Sequence, residues 1–588
     1  MNGNHYFYAF TNFVLKTRVK MNRMTKRTHL LAIGCLFASA AFAQKDEVPK
    51  GWHMQDKASS GYYGISIDKA YEFLKAKKAK STPVIVAVID SGIDTTHEDL
   101  KSILWVNTKE IPGNGIDDDK NGYIDDINGW NFLGSRDGKE NVEKDSYEAA
   151  RVYHKYKSMY DGKTIDAAKL TPEEKFQYEM WLRSKDEIAG DDKGGAMELM
   201  FLKKAYDGAV KSDSILKKAL GKDKYTGKEL EALKSEDAAV KKSKNMLLPL
   251  FQANDALEST NEEFLEGFGE YVDSEMKKAE AGEKAPENYR GNIVKDNYND
   301  LNDKFYGNNN VFVNNKSALH GTHVSGIIAA ARGNGKGMDG VADNVRIMSL
   351  RAVPDGDEHD KDIALAIRYA VDNGAKVINM SFGKSYSPEK KWVDDAVKYA
   401  ESKGVLLVHA AGNDAKNLDE SFNYPSPTFN DNNKRASNWI TVGASGPNNE
   451  GNNSLTASFS NYGKKEVDVF APGVKIYATV PGGNTYQNLQ GTSMASPVVA
   501  GVAALILEYY PNLSAQQVKM VIEKSAQKPE AKVNIPGTEE EASLSDISIN
   551  GGILNAYEAI KLASTLKGER NAKTVKPVKS KVKPKVKG

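Results

Sequence analysis

Val84-Ile85-Val86-Ala87-Val88-Ile89 runs directly into Asp90-Ser91-Gly92. Six apolar residues in a row, five of them β-branched, leave no polar face to show water. That is the pattern of a parallel strand covered on both sides. Runs of the same kind recur at Val345–Leu350, Lys376–Met380, Val405–Ala410, Ile440–Gly443 and Asp468–Phe470. Helical stretches fall between them at Asp362–Asp372 and Pro388–Lys403. Strands alternating with helices predict an α/β fold, a mostly parallel sheet with helices on both faces.

Residues 141–300 break that rhythm. They are rich in Lys, Glu and Ala and read as long helices, so a helical insertion interrupts the sheet-forming chain. Thr171-Pro172-Glu173-Glu174 opens one of these helices with an N-cap, a first-turn proline and a capping box. The expected organisation is a signal peptide over 1–43, a first part of the sheet domain over 44–140, the insertion over 141–300, the second part over 301–566, and a basic disordered tail over 567–588.

The whole chain has 588 residues, 40% hydrophobic and 27% charged, with 80 Lys and Arg against 79 Asp and Glu. This is the composition of ordinary globular protein, and it excludes collagen-like, coiled-coil-only and mostly disordered chains. The balance of charge hides two basic ends. Residues 1–43 hold Lys16, Arg18, Lys20, Arg23, Lys26 and Arg27 without an acid, and 567–588 hold eight Lys and Arg570 against Glu569. Removing +6 and +8 from a net charge of +1 leaves the body at about −13. An acidic body argues against nucleic acid as a partner, since phosphate binding wants a basic surface.

The basic Arg23, Lys26 and Arg27 precede the apolar run Leu30–Phe42, which closes on Ala41-Phe42-Ala43. That is the three-part pattern of an export signal, too short to span a bilayer. It predicts an exported protein, periplasmic or secreted, with no stable membrane insertion once the signal is removed. The only cysteine, Cys35, lies within the signal. It also admits a lipid-anchored form. Without it the mature chain has no thiol, which excludes thiol catalysis, zinc–thiolate sites and disulfides together.

Three segments carry the chemistry. Asp90 ends the first buried strand. His320-Gly321-Thr322-His323-Val324 opens an apolar helix, and Gly491-Thr492-Ser493-Met494-Ala495-Ser496-Pro497 opens another. A serine hydroxyl becomes a useful nucleophile when a histidine accepts its proton, and a carboxylate fixes the tautomer of that histidine and stabilises the imidazolium. A helix beginning at Ser493 aims its amide N–H at a developing oxyanion. Ala410-Ala411-Gly412-Asn413, after a buried strand, offers a second donor in the Asn413 amide. A zinc hydrolase built on His97, His320 and His323 fits less well, because His320 and His323 are spaced i,i+3 rather than i,i+4.

The order Asp90, His320, Ser493 resembles that of the subtilisin-like serine peptidases, the subtilases. The resemblance covers roughly 50–140 and 300–560 and includes Asn379-Met380-Ser381-Phe382-Gly383, Ala471-Pro472-Gly473 and Gly491-Thr492-Ser493-Met494-Ala495. It implies a serine endopeptidase acting on proteins or peptides through an acyl-enzyme. Asp90, His320 and Ser493 would form the triad, with Asn413 at the oxyanion. Ser381, Phe382 and Gly383 would line the strand that pairs with substrate backbone, and Ala411, Gly412 and Thr492 would complete the binding residues.

Calcium is the second expectation, with no catalytic cofactor. Asp117-Asp118-Asp119-Lys120-Asn121-Gly122-Tyr123-Ile124-Asp125-Asp126 matches the first half of an EF-type loop. Oxygen donors fall at positions 1, 3, 5 and 9, a carbonyl at 7 and a glycine at 6. Position 12 is Asn128 rather than glutamate, so a local loop is favoured over a helix-flanked EF-hand. The expected ligands are Asp117, Asp119, Asn121, the Tyr123 carbonyl, and Asp125 or Asp126. Asp99 stands where the resemblance implies another calcium carboxylate.

Overall fold

The computed structural model describes residues 48–190, 195–254, 256–257, 259–447 and 455–570. Residues 1–47, which include the expected signal peptide and Cys35, and residues 571–588 of the expected tail lie outside the described residues. The chain divides into two compact units, a sheet-bearing unit of Val48–Asp145 with Asn288–Gly588, and a helical unit of Ser146–Glu287.

The sheet-bearing unit is built on seven strands: β1 (Val84–Asp90), β2 (Gly129–Asn131), β3 (Val345–Arg351), β4 (Val377–Met380), β5 (Leu406–Ala410), β6 (Trp439–Ser445) and β7 (Val469–Pro472). Their order is β2-β3-β1-β4-β5-β6-β7, and every neighbouring pair is parallel. The fold is α/β, as the strand–helix alternation predicts. Side-chain alternation along the strands divides the core into two layers. Val84, Val86 and Val88 of β1 pack with the helices Leu319–Ala329 and Thr492–Tyr509 on one face. Ala87 and Ile89 pack with Asp360–Asp372 and Lys390–Ser402 on the other. A twisted antiparallel hairpin, β8 (Ile476–Val480) and β9 (Thr485–Leu489), lies beside the first layer.

Helix Thr492–Tyr509 is the only one among the described residues long and apolar enough to cross a membrane, and 89% of that stretch is buried. Its apolar surface is spent on the core. Its amino end, like that of Leu319–Ala329, meets the carboxyl ends of the strands, where open α/β sheets form their crevice.

Residues 141–145 and 288–300 fall in the sheet-bearing unit rather than with the helices. Buried charge explains the boundary. The guanidinium of Arg290 forks onto Asp362 at 2.8 and 2.7 Å and also holds Asp296, while Lys361 reaches Asp296 at 2.6 Å. Charges removed from water in this way persist only when paired and hydrogen-bonded, so the segment after residue 287 is tied to the start of helix Asp360–Asp372. Asp145 is tied in from the other side, accepting from His359 at 3.0 Å.

The helical unit contains Glu148–Tyr160, Pro172–Ala189, Gly195–Leu220, Ala238–Ala253 and Asn261–Glu283. Its core includes Leu216, Leu230, Leu247, Phe251, Phe264 and Phe268, the first pair of rings stacked at 4.2 Å. The capping box forms as its sequence predicts: Thr171 Oγ1 accepts from the Glu174 N–H, and Glu174 accepts from the Thr171 N–H at 2.8 Å.

Candidate active site

Asp90 closes β1 and is 2% exposed, its carboxylate at the carboxyl end of the sheet. His320 sits in the first turn of Leu319–Ala329. The two meet because Gly321 allows it: a Cβ there would stand 2.1 Å from the Gly92 carbonyl and 3.1 Å from Asp90 Oδ1. His320 Nδ1 donates to Asp90 Oδ1 at 2.8 Å, and the Ser91 N–H donates to the same oxygen at 2.8 Å. The other ring nitrogen, Nε2, is buried and has no hydrogen-bond partner among the described residues. An imidazole whose Nδ1 proton is held by a carboxylate presents a bare acceptor at Nε2.

Ser493 is the second residue of Thr492–Tyr509 and 9% exposed. Gly491 caps the helix with φ of 147°, a backbone conformation that suits glycine. The Ser493 hydroxyl donates to the Ser381 carbonyl at 3.1 Å, and the Ser381 hydroxyl donates back to the Ser493 carbonyl at 2.9 Å. Asn379 extends this network, donating to Ser381 Oγ at 2.9 Å and accepting from Ser496 Oγ at 2.8 Å. The start of the helix is thereby fastened to the chain leaving β4. The hydroxyl is turned to the Ser381 carbonyl rather than to His320.

Asn413 follows β5. Its Oδ1 accepts from the Thr492 N–H at 2.7 Å and the Thr492 hydroxyl at 2.8 Å. With the oxygen so engaged, the amide is oriented and its Nδ2 is left to donate. Thr492, fully buried, acts here on Asn413 and on the Gly412 N–H, from which its hydroxyl accepts at 3.0 Å. Ser381, Phe382 and Gly383 leave the end of β4, and Ala411 and Gly412 leave the end of β5. Asn423 spans these two segments: its Nδ2 donates to the Ala411 carbonyl at 2.9 Å, and its Oδ1 lies 2.4 Å from where a Gly383 Cβ would be.

A family model described as the subtilase family matches residues 81–541. The chain belongs to the subtilase family. A thermophilic serine proteinase of Bacillus sp. (strain AK1) is 43% identical over 210 residues, which are 36% of this chain and 47% of that protein. Subtilisin DY of Bacillus licheniformis is 41% identical over 210 residues, 35% of this chain and 70% of that one. Subtilisin BL of Lederbergia lenta is 39% identical over 208 residues, 35% and 70% respectively. The chain therefore spans about half the length of the first relative.

In this subtilase His97 and His323 are set into the fold around the β8–β9 hairpin. His97 Nε2 bonds the Thr485 carbonyl at 3.1 Å, and His323 Nε2 bonds the Gln487 carbonyl at 3.1 Å. Burial pulls the pKa of His323 down to about 3, so its ring stays neutral.

The acidic loop sorts its ligand candidates. Carboxylate oxygens of Asp117 and Asp119 gather with that of Glu110, all within 4.8 Å. Three hard oxygen donors suit calcium. Glu110 precedes the EF-like pattern, and no spacing rule in that pattern points to it; its signal is only its place in Lys109-Glu110-Ile111, seven residues ahead of Asp117. Asp125 and Asp126 are engaged elsewhere. Asp125 accepts from the Gly113 and Gly115 N–H groups, each at 2.8 Å. Asp126 is buried, which pushes its carboxyl up to about 6 against hydrogen bonds from Tyr369, Asn107 and Asn121. Asn121 donates to Asp126 and accepts from the Tyr123 N–H; Glu110, Asp117 and Asp119 also accept from N–H groups of the loop, and only their carboxylate oxygens gather at one point among the described residues. The Asp99 carboxylate accepts from Tyr486 at 2.7 Å and from Asn334.

Proposed function

We propose that this subtilase is an exported endopeptidase that hydrolyses peptide bonds in proteins through an acyl-enzyme on Ser493. The observation that carries the reading is the Asp90–His320 bond of 2.8 Å with a buried, unpartnered Nε2 on the far side of the ring. Ser493 Oγ attacks the scissile carbonyl while His320 Nε2 takes its proton, and the adjacent Asp90 carboxylate stabilises the imidazolium. The carbonyl oxygen becomes an oxyanion that accepts from the Ser493 N–H and Asn413 Nδ2. His320 returns the proton to the departing amine, and water then repeats the sequence in reverse on the ester. Ser381–Gly383 supplies an edge for an extended substrate. Casein hydrolysis that is abolished by a fluorophosphonate and unaffected by a zinc-selective chelator is the test; turnover that survives the fluorophosphonate would sink the reading.

Export rests on the tripartite pattern of 1–43, and the acidic body supports protein rather than nucleic acid as the partner. Asn413→Ala is expected to lower kcat 10²–10³-fold, about 3–4 kcal/mol, with KM little changed; the size is carried over from subtilisin, the known example of losing such a donor. Steady-state kinetics on a peptide anilide check it. The selectivity for kcat follows from chemistry, since the Nδ2 donor meets full charge only after attack.

We also propose that Glu110, Asp117 and Asp119 hold a structural calcium ion. It would supply positive charge to three carboxylates that repel one another, adding to that of Lys109, which lies 3.0 Å from Asp119. Chelation is expected to lower the melting temperature, and added calcium to restore it. Asp117→Asn combined with Asp119→Asn should leave a protein whose melting temperature no longer responds to calcium.

A further inference from the structure

His409 interrupts the apolar run of β5 and is 1% exposed. Its ring lies against Trp439, with centroids 5.3 Å apart, and near Phe382 at 6.2 Å. Its Nε2 is 2.8 Å from the Phe382 carbonyl oxygen. A carbonyl only accepts, so the proton is on Nε2. Burial keeps the ring neutral, drawing its pKa down to about 4, so a single fixed tautomer makes this contact.

The carbonyl it holds belongs to the segment leaving β4. The Phe382–Gly383 peptide is trans, so its C=O and its N–H point in opposite directions. Fixing the carbonyl on His409 therefore fixes the Gly383 N–H on the opposite side, and among the described residues that N–H has no partner. On the next residue, Lys384 and Tyr424 exchange both backbone bonds, at 3.0 and 2.8 Å. Gly383 is thus held from both sides: by His409 through the preceding carbonyl, and by the Tyr424 strap through the following residue. A glycine flanked by free rotations would otherwise sample many orientations of that N–H.

We propose that His409 is a positioning residue: its Nε2–H holds the Phe382 carbonyl so that the Gly383 N–H is aimed at a backbone carbonyl of an extended protein substrate. The inference rests on the reading that Ser381–Gly383 pairs with substrate. The side chain touches neither the scissile bond nor the triad, so its effect falls on binding along the edge rather than on the chemical step.

His409→Phe keeps a ring of similar size between Trp439 and Phe382 and removes the donor; His409→Gln keeps a donor. With a tetrapeptide anilide, His409→Phe is expected to raise KM roughly 3–10-fold, the worth of one well-placed hydrogen bond, with kcat within about twofold. His409→Gln should return KM close to the wild-type value. The rate at which a small fluorophosphonate without a peptide portion labels Ser493 should be the same in all three. Where His409→Phe does not fold, His409→Leu is read in the same way. Unchanged KM in a folded donor-free variant overturns the proposal, and so does a parallel loss of labelling, which would mark general disruption. A wild-type protein that the fluorophosphonate does not label would instead overturn the assignment of the site itself.

Discussion

Ser493→Ala is expected to lower kcat for a peptide substrate by about 10⁶-fold, a size carried over from subtilisin, the worked example of nucleophile removal. The effect is so large because nothing else nearby replaces the lost atom. His320 Nε2 would face an alanine methyl, and no covalent ester can form. The fold should survive for an equally local reason. The Ser493 side chain makes one hydrogen bond, to the Ser381 carbonyl at 3.1 Å, and its loss costs about 1 kcal/mol. The fastening of the helix start is kept, because Ser381 Oγ bonds the backbone carbonyl of residue 493, not its side chain. Substrate binding should persist, with a dissociation constant within a few-fold of wild type by calorimetry. Some acceleration over water is expected to remain from the oxyanion donors, about 10³–10⁴-fold. A folded Ser493→Ala protein with even a hundredth of wild-type turnover would remove Ser493 from the chemistry.

How far the sequence alone leads can be judged from individual elements. Val84–Ile89 could be read as a doubly covered parallel strand because its residues leave no polar face, and β3 to β7 were legible from shorter or interrupted runs of the same apolar kind. The positions of Asp90, His320, Ser493 and Asn413 were legible because each lies at or just after the end of a legible strand or at the start of a legible helix. β2 escaped: three residues at the sheet edge make too short a run to carry a period. β9 escaped for another reason, since Thr485–Leu489 is polar and half-exposed along most of its length.

Interactions set by tertiary placement were the least legible. The boundary of the helical unit is drawn by Arg290, Asp296 and Asp362, three charges whose pairing no local pattern encodes. Glu110 joins Asp117 and Asp119 only because the loop folds back. Thr492 reads as a substrate contact from its place beside Ser493, yet its hydroxyl orients Asn413 from a fully buried position. His409 looks like a polar interruption of a strand until the Phe382 carbonyl is seen 2.8 Å away.

Asp90→Asn is expected to cost about 10⁴-fold in kcat near neutral pH, again with KM little changed. Asp90 Oδ1 accepts two hydrogen bonds, from His320 Nδ1 and the Ser91 N–H, while Oδ2 is buried without a partner among the described residues. An asparagine has two ways to sit there, and both fail. With its oxygen in the Oδ1 position it keeps both bonds but buries an NH₂ group that has nothing to donate to. Turned over, its NH₂ opposes the Ser91 N–H and forces the His320 proton onto Nε2, the nitrogen that must be bare to accept from Ser493. In either pose the negative charge that stabilises the imidazolium is also gone. Imidazole ¹⁵N spectra report which tautomer is present. The sharper check is a double variant. If Asp90 acts only through His320 on the Ser493 hydroxyl, then once that hydroxyl is removed the carboxylate has nothing left to assist. Asp90→Asn in a Ser493→Ala background should therefore cost almost nothing further. A second full loss of about 10⁴-fold there would mean that Asp90 serves the reaction by some route other than this histidine.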